Sequence, residues 1–265
     1  MLKPSVSVII STYNNPNALR VIIETLEAGT ILPDQIIIAD DGSTKETSEL
    51  INELSKPNQI PIIHCWHKDK GFRKNRILNI SLTKISSDYI VFLDGDCLPH
   101  KDFIKDHLEL AEPQCLVQGR RAFIPEQYVP SVLSGHISVA KLTWTFRLQG
   151  WFKSLRLPSP LVRKNQDLYG LLGCNLAAWR QDLETINGFD EDYEGWGIGE
   201  DSDLGARLDN LGNHRKLVYG RAIVYHLNHP ELSKEHVPES KARLQNTVAS
   251  KRVRCTRGLN LHLEN

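Results

Sequence analysis

Hydrophobic positions in the first hundred residues follow two alternating patterns. Short runs rich in apolar and β-branched residues cover 5–11, 35–39, 60–65 and 89–93, the length of strands buried on both faces. Between them apolar residues recur three and four apart, as Leu19, Ile22, Ile23 and Leu26 do within 17–28, and helical patterns also cover 45–54 and 73–84. Asn15-Pro16 is a start signal for the first helix, and Ser43 or Thr44 caps the second. This alternation predicts a parallel sheet wrapped by helices.

Each predicted strand ends in a polar cluster: Ser11 to Asn15, Asp40-Asp41-Gly42-Ser43, Lys68-Asp69-Lys70-Gly71 and Asp94-Gly95-Asp96. Ligands of open α/β sheets collect beyond the carboxyl ends of strands, so these clusters should share one site. After residue 110 the pattern loosens. Phe123 to Gln166 shows no clean period and is expected to be a partly mobile segment. Regularity returns over Leu171 to Trp179, in a helix over 201–211, and in a last strand over 222–225 that ends at His226.

Composition narrows the partners. Lys+Arg and Asp+Glu balance at 32 each, so no global field draws nucleic acid and a nucleotide must be held locally. The balance fails in one place. From Gln127 to Gln166 there is no acidic residue, while Lys141, Arg147, Lys153, Arg156, Arg163 and Lys164 are basic. Five cysteines with no C-x-x-C pair argue against a disulfide framework or zinc knuckle and for a reducing compartment, here the cytoplasm. The apolar run at 6–10 is too short for a signal peptide, and no segment nears the roughly 18 apolar residues of a membrane span. Any membrane link is therefore expected to be peripheral.

Asp94-Gly95-Asp96 follows Tyr-Ile-Val-Phe-Leu, so a buried strand delivers two carboxylates to its exit turn. Such a pair can hold a hard divalent cation whose open positions take a diphosphate; a solvated turn explains it equally well. Asp40 and Asp41 could accept hydrogen bonds from a base or ribose, or cap a helix. Lys70, Arg73 and Asn75 could meet phosphate or base, or simply open a helix. Within Gly188 to Asp203, a helix start at Glu200-Asp201 would keep carboxylates ionised, fit for a general base or for capping. His226 could ligate Mn²⁺ better than Mg²⁺, or be a packed polar residue; His229 is given no role.

Taken in order, these segments resemble the family 2 glycosyltransferases of GT-A fold over roughly residues 5–230. The resemblance rests on Val-Ile-Ile-Ser-Thr-Tyr-Asn-Asn, Ile-Ile-Ala-Asp-Asp-Gly-Ser and Phe-Leu-Asp-Gly-Asp. Gly-Phe-Asp-Glu, Gly-Trp-Gly-Ile-Gly-Glu-Asp and the histidine after the last strand are similar to a galactosyltransferase-like C-terminal module. It implies an α/β fold with a mostly parallel Rossmann-like sheet flanked by helices and a smaller acceptor-binding C-terminal part. Residues 1–110 would be the nucleotide-sugar half, 111–230 the acceptor-binding and catalytic half, and 231–265 a basic tail.

The resemblance also implies roles. Thr12, Tyr13, Asn15, Asp40 and Asp41 would bind the nucleoside, Arg73 and Asn75 would help hold the donor, and Asp94 would meet ribose or metal. Asp96 and His226 would ligate Mn²⁺, with Mg²⁺ the second candidate. Trp196 and Glu200 would shape the acceptor pocket, and Asp201 would be the base of an inverting transfer from a nucleotide diphosphate sugar, UDP foremost, to a glycan or lipid-linked glycan in surface polysaccharide or lipopolysaccharide synthesis. Ile198 departs from the family's more frequent Trp-Gly-Gly-Glu-Asp and leaves the placement of Trp196 open.

Three other readings compete. A haloacid dehalogenase-like phosphatase also places D-x-D after a strand, but near the chain start. A nucleotidyltransferase would want a glycine-rich basic loop after strand one, where Tyr13-Asn14-Asn15-Pro16 stands. A nucleotide-sugar-binding protein without turnover would share every residue named. The acid-free stretch fits peripheral contact with anionic lipid or a lipid-linked acceptor at the inner membrane face, and fits a solvated loop beside a phosphate-rich donor equally well.

Overall fold

The computed structural model describes residues 3–56, 60–165, 171–195, 199–230 and 237–263. Strands β1 (Val6–Thr12), β2 (Gln35–Asp40), β3 (Ile62–Trp66) and β4 (Tyr89–Asp94) alternate with helices α1 (Pro16–Glu27), α2 (Lys45–Ser55) and α3 (Lys74–Leu82). The four strands run parallel in the order β3-β2-β1-β4. Helix α1 buries Leu19, Ile22, Ile23 and Leu26, as its apolar spacing predicts, and the Asn15 side chain caps it by accepting from the Ala18 N–H.

The sheet continues through β9 (Asn175–Trp179), β6 (Cys115–Gln118), β10 (His214–Tyr219) and β8 (Leu161–Asn165). Strand β9 is antiparallel to both neighbours, β4 and β6. One sheet therefore spans both halves of the chain. A second sheet of three short strands, β5 (Cys97–Pro99), β11 (Ile223–Leu227) and β7 (Arg120–Ile124), lies beside it in the order β5-β11-β7. His226 thus lies inside the last strand rather than at its end.

Residues 123–165 are organised, which corrects the expectation of a mobile segment. They contain α5 (Val129–Leu133), α6 (Val139–Trp144), single 3-10 turns at 126–128 and 151–154, and β8. Each piece is too short to show a period and inserts only one or two side chains into the core, notably Val132, Leu142 and Leu148.

Residues 237–263 are likewise no loose tail. Helix α9 (Val237–Ala249) packs on α8 (Glu200–Asn210), and charge is consumed in holding it. The buried Asp203 accepts from Arg207 Nε at 2.7 Å, Thr247 Oγ1 at 2.8 Å and Arg252 at 3.2 Å. Arg252 also reaches Asp190 at 2.8 Å, and Leu259 is buried in the core. All five cysteines are buried and free.

At the start of β9, the fully buried Asn175 joins three parts of the chain. Its Oδ1 meets Nε2 of His107, on α4 (Phe103–Leu110), at 3.1 Å, and its amide donates to the carbonyls of Ala222 at 2.7 Å and Arg120 at 3.2 Å. Burial pushes the His107 imidazole down to about 4, so it is neutral and can donate to the amide. Asn175→Ala would strand three buried polar groups, and each such loss costs about 1–3 kcal/mol. An unfolding free energy lowered by about 3 kcal/mol or more in denaturant titration is the expected result; unchanged stability would show that the amide is dispensable.

Candidate active site

The exit turn of β4 is folded tightly over β1. Gly95 N–H donates to the Ser11 carbonyl at 2.7 Å, and a Cβ on Gly95 would stand 2.6 Å from that oxygen, so no larger residue fits between the two aspartates. Asp94 faces inward, with Oδ1 accepting from Ser11 Oγ at 2.8 Å and Lys74 Nζ at 2.6 Å. Asp96 faces the other way, toward β11.

The small sheet brings that strand within reach. Cys97 is the antiparallel register partner of His226, and Leu227 N–H donates to the Asp96 carbonyl at 2.8 Å. Asp96 Oδ2 consequently lies 3.4 Å from His226 Nε2 and 3.1 Å from His229 Nε2. One carboxylate oxygen and two imidazole nitrogens lie within 4.8 Å of one another. A mixed O/N set of this kind suits Mn²⁺ better than Mg²⁺. The ring of Phe123 packs edge-on against His226, with centroids 5.1 Å apart.

Electrostatics set the resting state of this cluster. Burial pushes Asp96 up, but the hydrogen bond to His229 and the charge near His226 outweigh it and hold the carboxyl at about 2. Burial pushes the His226 imidazole down. The hydrogen bond to Asp96 lifts His229 to about 9. The sequence had carried one signal for His229: His226-Leu-Asn-His229 is an H-x-x-H spacing directly at a strand end.

Asp201, on the first turn of α8, sits on the other side of Asp94. Its Oδ2 accepts from Gly173 N–H at 2.7 Å, and a Cβ on Gly173 would stand 2.2 Å from Oδ1. Ile9, Ser11, Lys74, Asp94, Gly173 and Asp201 line one small cavity. Burial raises the Asp201 carboxyl above its ordinary value; Asp94 reinforces this, while Lys74, Gly173 N–H and Arg121 oppose it. Asp94, Asp96, His226 and Asp201 thus gather at one sheet edge, with Lys74, Gly173 and His229 as additions that the sequence did not flag.

The nucleoside-side residues behave less uniformly. Tyr13 is 52% exposed at the end of β1, and its hydroxyl donates to Asp69 at 3.0 Å. Trp66, at the end of β3, is 51% exposed, so two aromatic rings flank the Asp40-Asp41 turn. Thr12 is buried and its Oγ1 has no hydrogen-bond partner among the described residues.

Asp40 is turned away from solvent. It accepts from Ser43 N–H at 2.7 Å and contacts His64 Nε2 at 2.9 Å, so contact with a base requires its carboxylate to rotate. Burial pushes it up, yet the bonds from His64 and Ser43 leave it below the ordinary carboxylate value. Asp41 meets His67 at 2.6 Å and caps α3 through Arg73 N–H at 2.9 Å; burial leaves it raised. The Arg73 guanidinium donates to the Lys68 carbonyl.

Two of the expected donor-side residues are already engaged in the fold. Asn75 is buried and donates to the Asp190 carbonyl at 2.8 Å, which joins α3 to the C-terminal half. The Asn15 side chain caps α1. Trp196 lies outside the described residues, as does the side chain of Glu200.

This architecture is the GT-A fold. The chain superimposes with a TM-score of 0.60 on a mannosyltransferase of Pyrobaculum calidifontis, solved in complex with GDP-Man and Mn²⁺, at 18% identity and covering 97% of this chain and 66% of that one. TarS 1-349 of S. aureus, solved in complex with UDP-GlcNAc, gives 0.64 at 15% identity, covering 97% and 69%. The model described as "Glycosyl transferase family 2" matches residues 7–175, and the chain belongs to that family. A second model, described as "N-terminal domain of galactosyltransferase", matches residues 155–230.

Among curated relatives, the hyaluronan synthase of Pasteurella multocida is 27% identical over 242 residues, which are 84% of this chain and 24% of that protein. The validoxylamine A glucosyltransferase of Streptomyces hygroscopicus subsp. limoneus is 27% identical over 224 residues, 79% of this chain and 49% of that one. The chain therefore spans between a quarter and a half of these relatives' length.

Ligation by His229 requires loss of its proton, which Asp96 holds up to about 9. Below that pH, Mn²⁺ affinity should rise by about tenfold per pH unit as the competing proton becomes scarce. Calorimetric titrations at pH 6, 7 and 8 read this slope directly. His229→Asn should flatten it, and an equal slope in both proteins would remove His229 from the ligand set.

Proposed function

We propose that this chain is a metal-dependent inverting glycosyltransferase that moves a sugar from a nucleotide diphosphate donor, UDP foremost, to a hydroxyl of a glycan or glycolipid. The observation that carries the reading is the placement of Asp201 and the Asp94-Gly95-Asp96 turn at one sheet edge, where Lys74 bonds to Asp94 in a cavity that both Asp94 and Asp201 line. The donors named with the two solved neighbours, GDP-Man and UDP-GlcNAc, and the Mn²⁺ of one of them support a nucleotide sugar and a divalent ion. The polysaccharide synthases among the relatives support a role in surface glycan synthesis.

In this reading Asp96, His226 and His229 hold the cation, which when bound offsets negative charge on the departing nucleotide diphosphate. Tyr13 and Trp66 offer ring faces to the base, and Asp41 and Arg73 border it. Asp201 takes the proton from the acceptor hydroxyl as that oxygen attacks the anomeric carbon. Its raised proton affinity makes it a stronger acceptor than an ordinary carboxylate, and Gly173 N–H fixes its orientation. Residues 1–110 form the donor half, and 111–230 form the half that places acceptor and base. Trp196 and Glu200 belong to the acceptor pocket, and the site faces the cytoplasm at the inner side of the membrane.

A panel of UDP- and GDP-sugars, each tested for Mn²⁺-dependent hydrolysis with chelator controls, tests the reading. Turnover of one donor, lost on chelation, is expected; no donor turned over at any metal concentration would favour a binding protein. With that donor and an acceptor, Asp201→Asn should lower transfer by about 10²–10⁴-fold while donor affinity holds. Transfer near the normal rate would remove the base.

Gly173→Ala acts on the same group from the backbone side, because its methyl occupies the place of the Asp201 carboxylate. Displacing a reacting group by about 1 Å can cost about a hundredfold in rate. The expected signature is a fall in kcat of that order with KM for the donor little changed, and a joint loss of both would instead indicate a damaged donor site.

A further inference from the structure

Trp144 is 82%, Phe146 64% and Phe152 57% exposed, within the short stretch that runs from the end of α6 into the 3-10 turn at 151–154. The ring of Trp151 meets that of Phe146 edge-on at 4.8 Å. Single exposed apolar residues are ordinary, but a cluster of large aromatics marks an interaction surface. These rings are held outward. Leu142 and Leu148 anchor the stretch in the core, Arg147 N–H donates to the Leu142 carbonyl at 2.9 Å, and Phe146 between them has φ of 55°, in the left-handed region that bulky side chains rarely adopt.

Charge on this face is one-sided. Of the basic residues in the acid-free stretch, Arg156 pairs with Asp102 and Asp106, and Lys164 with Glu112. Lys141, Arg147 and Lys153 have no carboxylate partner among the described residues. Arg147 lies over the Tyr128 ring and Lys153 over the Phe152 ring, each at 5.6 Å. Aromatic rings interleaved with cations that carry no local counter-charge match a partner that is apolar inside and anionic at its surface.

We propose that this face docks on an anionic lipid bilayer, with Trp144, Phe146, Trp151 and Phe152 entering the headgroup region and Lys141, Arg147 and Lys153 meeting anionic headgroups. The aromatic rings gain from the acyl boundary and the cations from anionic headgroups, a combination that favours lipid over a bound polysaccharide. Contact is peripheral, since no helix among the described residues is long and apolar enough to cross a membrane.

The face adjoins the active site. Phe123, whose ring packs on His226, exchanges two backbone hydrogen bonds of 2.9 Å with Gln149. Docking therefore sets the rim of the cation site beside the bilayer, where a lipid-linked acceptor would present its sugar. The inference goes beyond the transfer reading and is separable from it, because lipid binding is measured with neither donor nor acceptor.

The test is cosedimentation of the full chain with phosphatidylcholine vesicles, with and without phosphatidylglycerol. Binding to the anionic vesicles alone, weakened by salt, is expected. Each cation near an anionic surface contributes about fivefold, so replacing Lys141, Arg147 and Lys153 by Gln should lower partitioning by about a hundredfold. Trp144→Ser with Phe146→Ser should abolish sedimentation while circular dichroism and the thermal midpoint stay unchanged, since both side chains are exposed. Equal binding to neutral and anionic vesicles, no binding to either, or indifference to all five substitutions would overturn the proposal. So would loss of affinity for a soluble anionic oligosaccharide in a protein that never sediments with vesicles.

Discussion

The pairing of β5 with β11 is the constraint on which the candidate site depends. Three residues of β5 follow directly from the Asp94-Gly95-Asp96 turn, and antiparallel bonding to β11 fixes where His226 lies relative to Asp96. Parallel pairing of β11 with β7 then fixes Phe123 against His226. No side-chain contact could hold a carboxylate and an imidazole from such distant segments as firmly as a shared ladder, because each backbone bond pins the strand's register and therefore the face on which its side chain emerges.

A second constraint is electrostatic. Asp94 and Asp201 line one cavity, Asp94 disfavours ionisation of Asp201, and the compensating charge comes from Lys74. On a helix, neighbouring residues project about 100° apart. Lys74 can therefore reach Asp94 while Asn75 turns to the Asp190 carbonyl. Lys74, unnamed in the sequence reading beside Arg73 and Asn75, is the residue that helical rotation aims at Asp94.

The first four strands and three helices were legible because their signals are local: short apolar runs, helical spacing and the caps between. The D-x-D turn and the Glu200-Asp201 helix start were legible for the same reason, each standing at an element boundary. What escaped was whatever depends on contacts between distant elements. His229 needed β11 to be placed, Trp66 needed the end of β3 to lie across the Asp40-Asp41 turn from Tyr13, and Gly173 needed the reversed strand β9. Residues 123–165 escaped differently, because elements of five or six residues bury too little to impose a period. Arg252, within the expected basic tail, pairs with Asp190 and Asp203, residues far from it in the chain.

The reversal of β9 has a further effect. Parallel strands deliver to this sheet edge the residues that follow them, whereas an antiparallel strand delivers the residues that precede it, which is why Gly173 rather than a residue after Trp179 meets Asp201. The chain between Ile124 and Gly173 therefore begins beside Phe123 and His226 and finishes at Asp201, and its described residues contribute only the outermost strand β8 to the large sheet. Its length and content can change without shifting the register of any interior strand, so the fold carries a replaceable wall around fixed machinery.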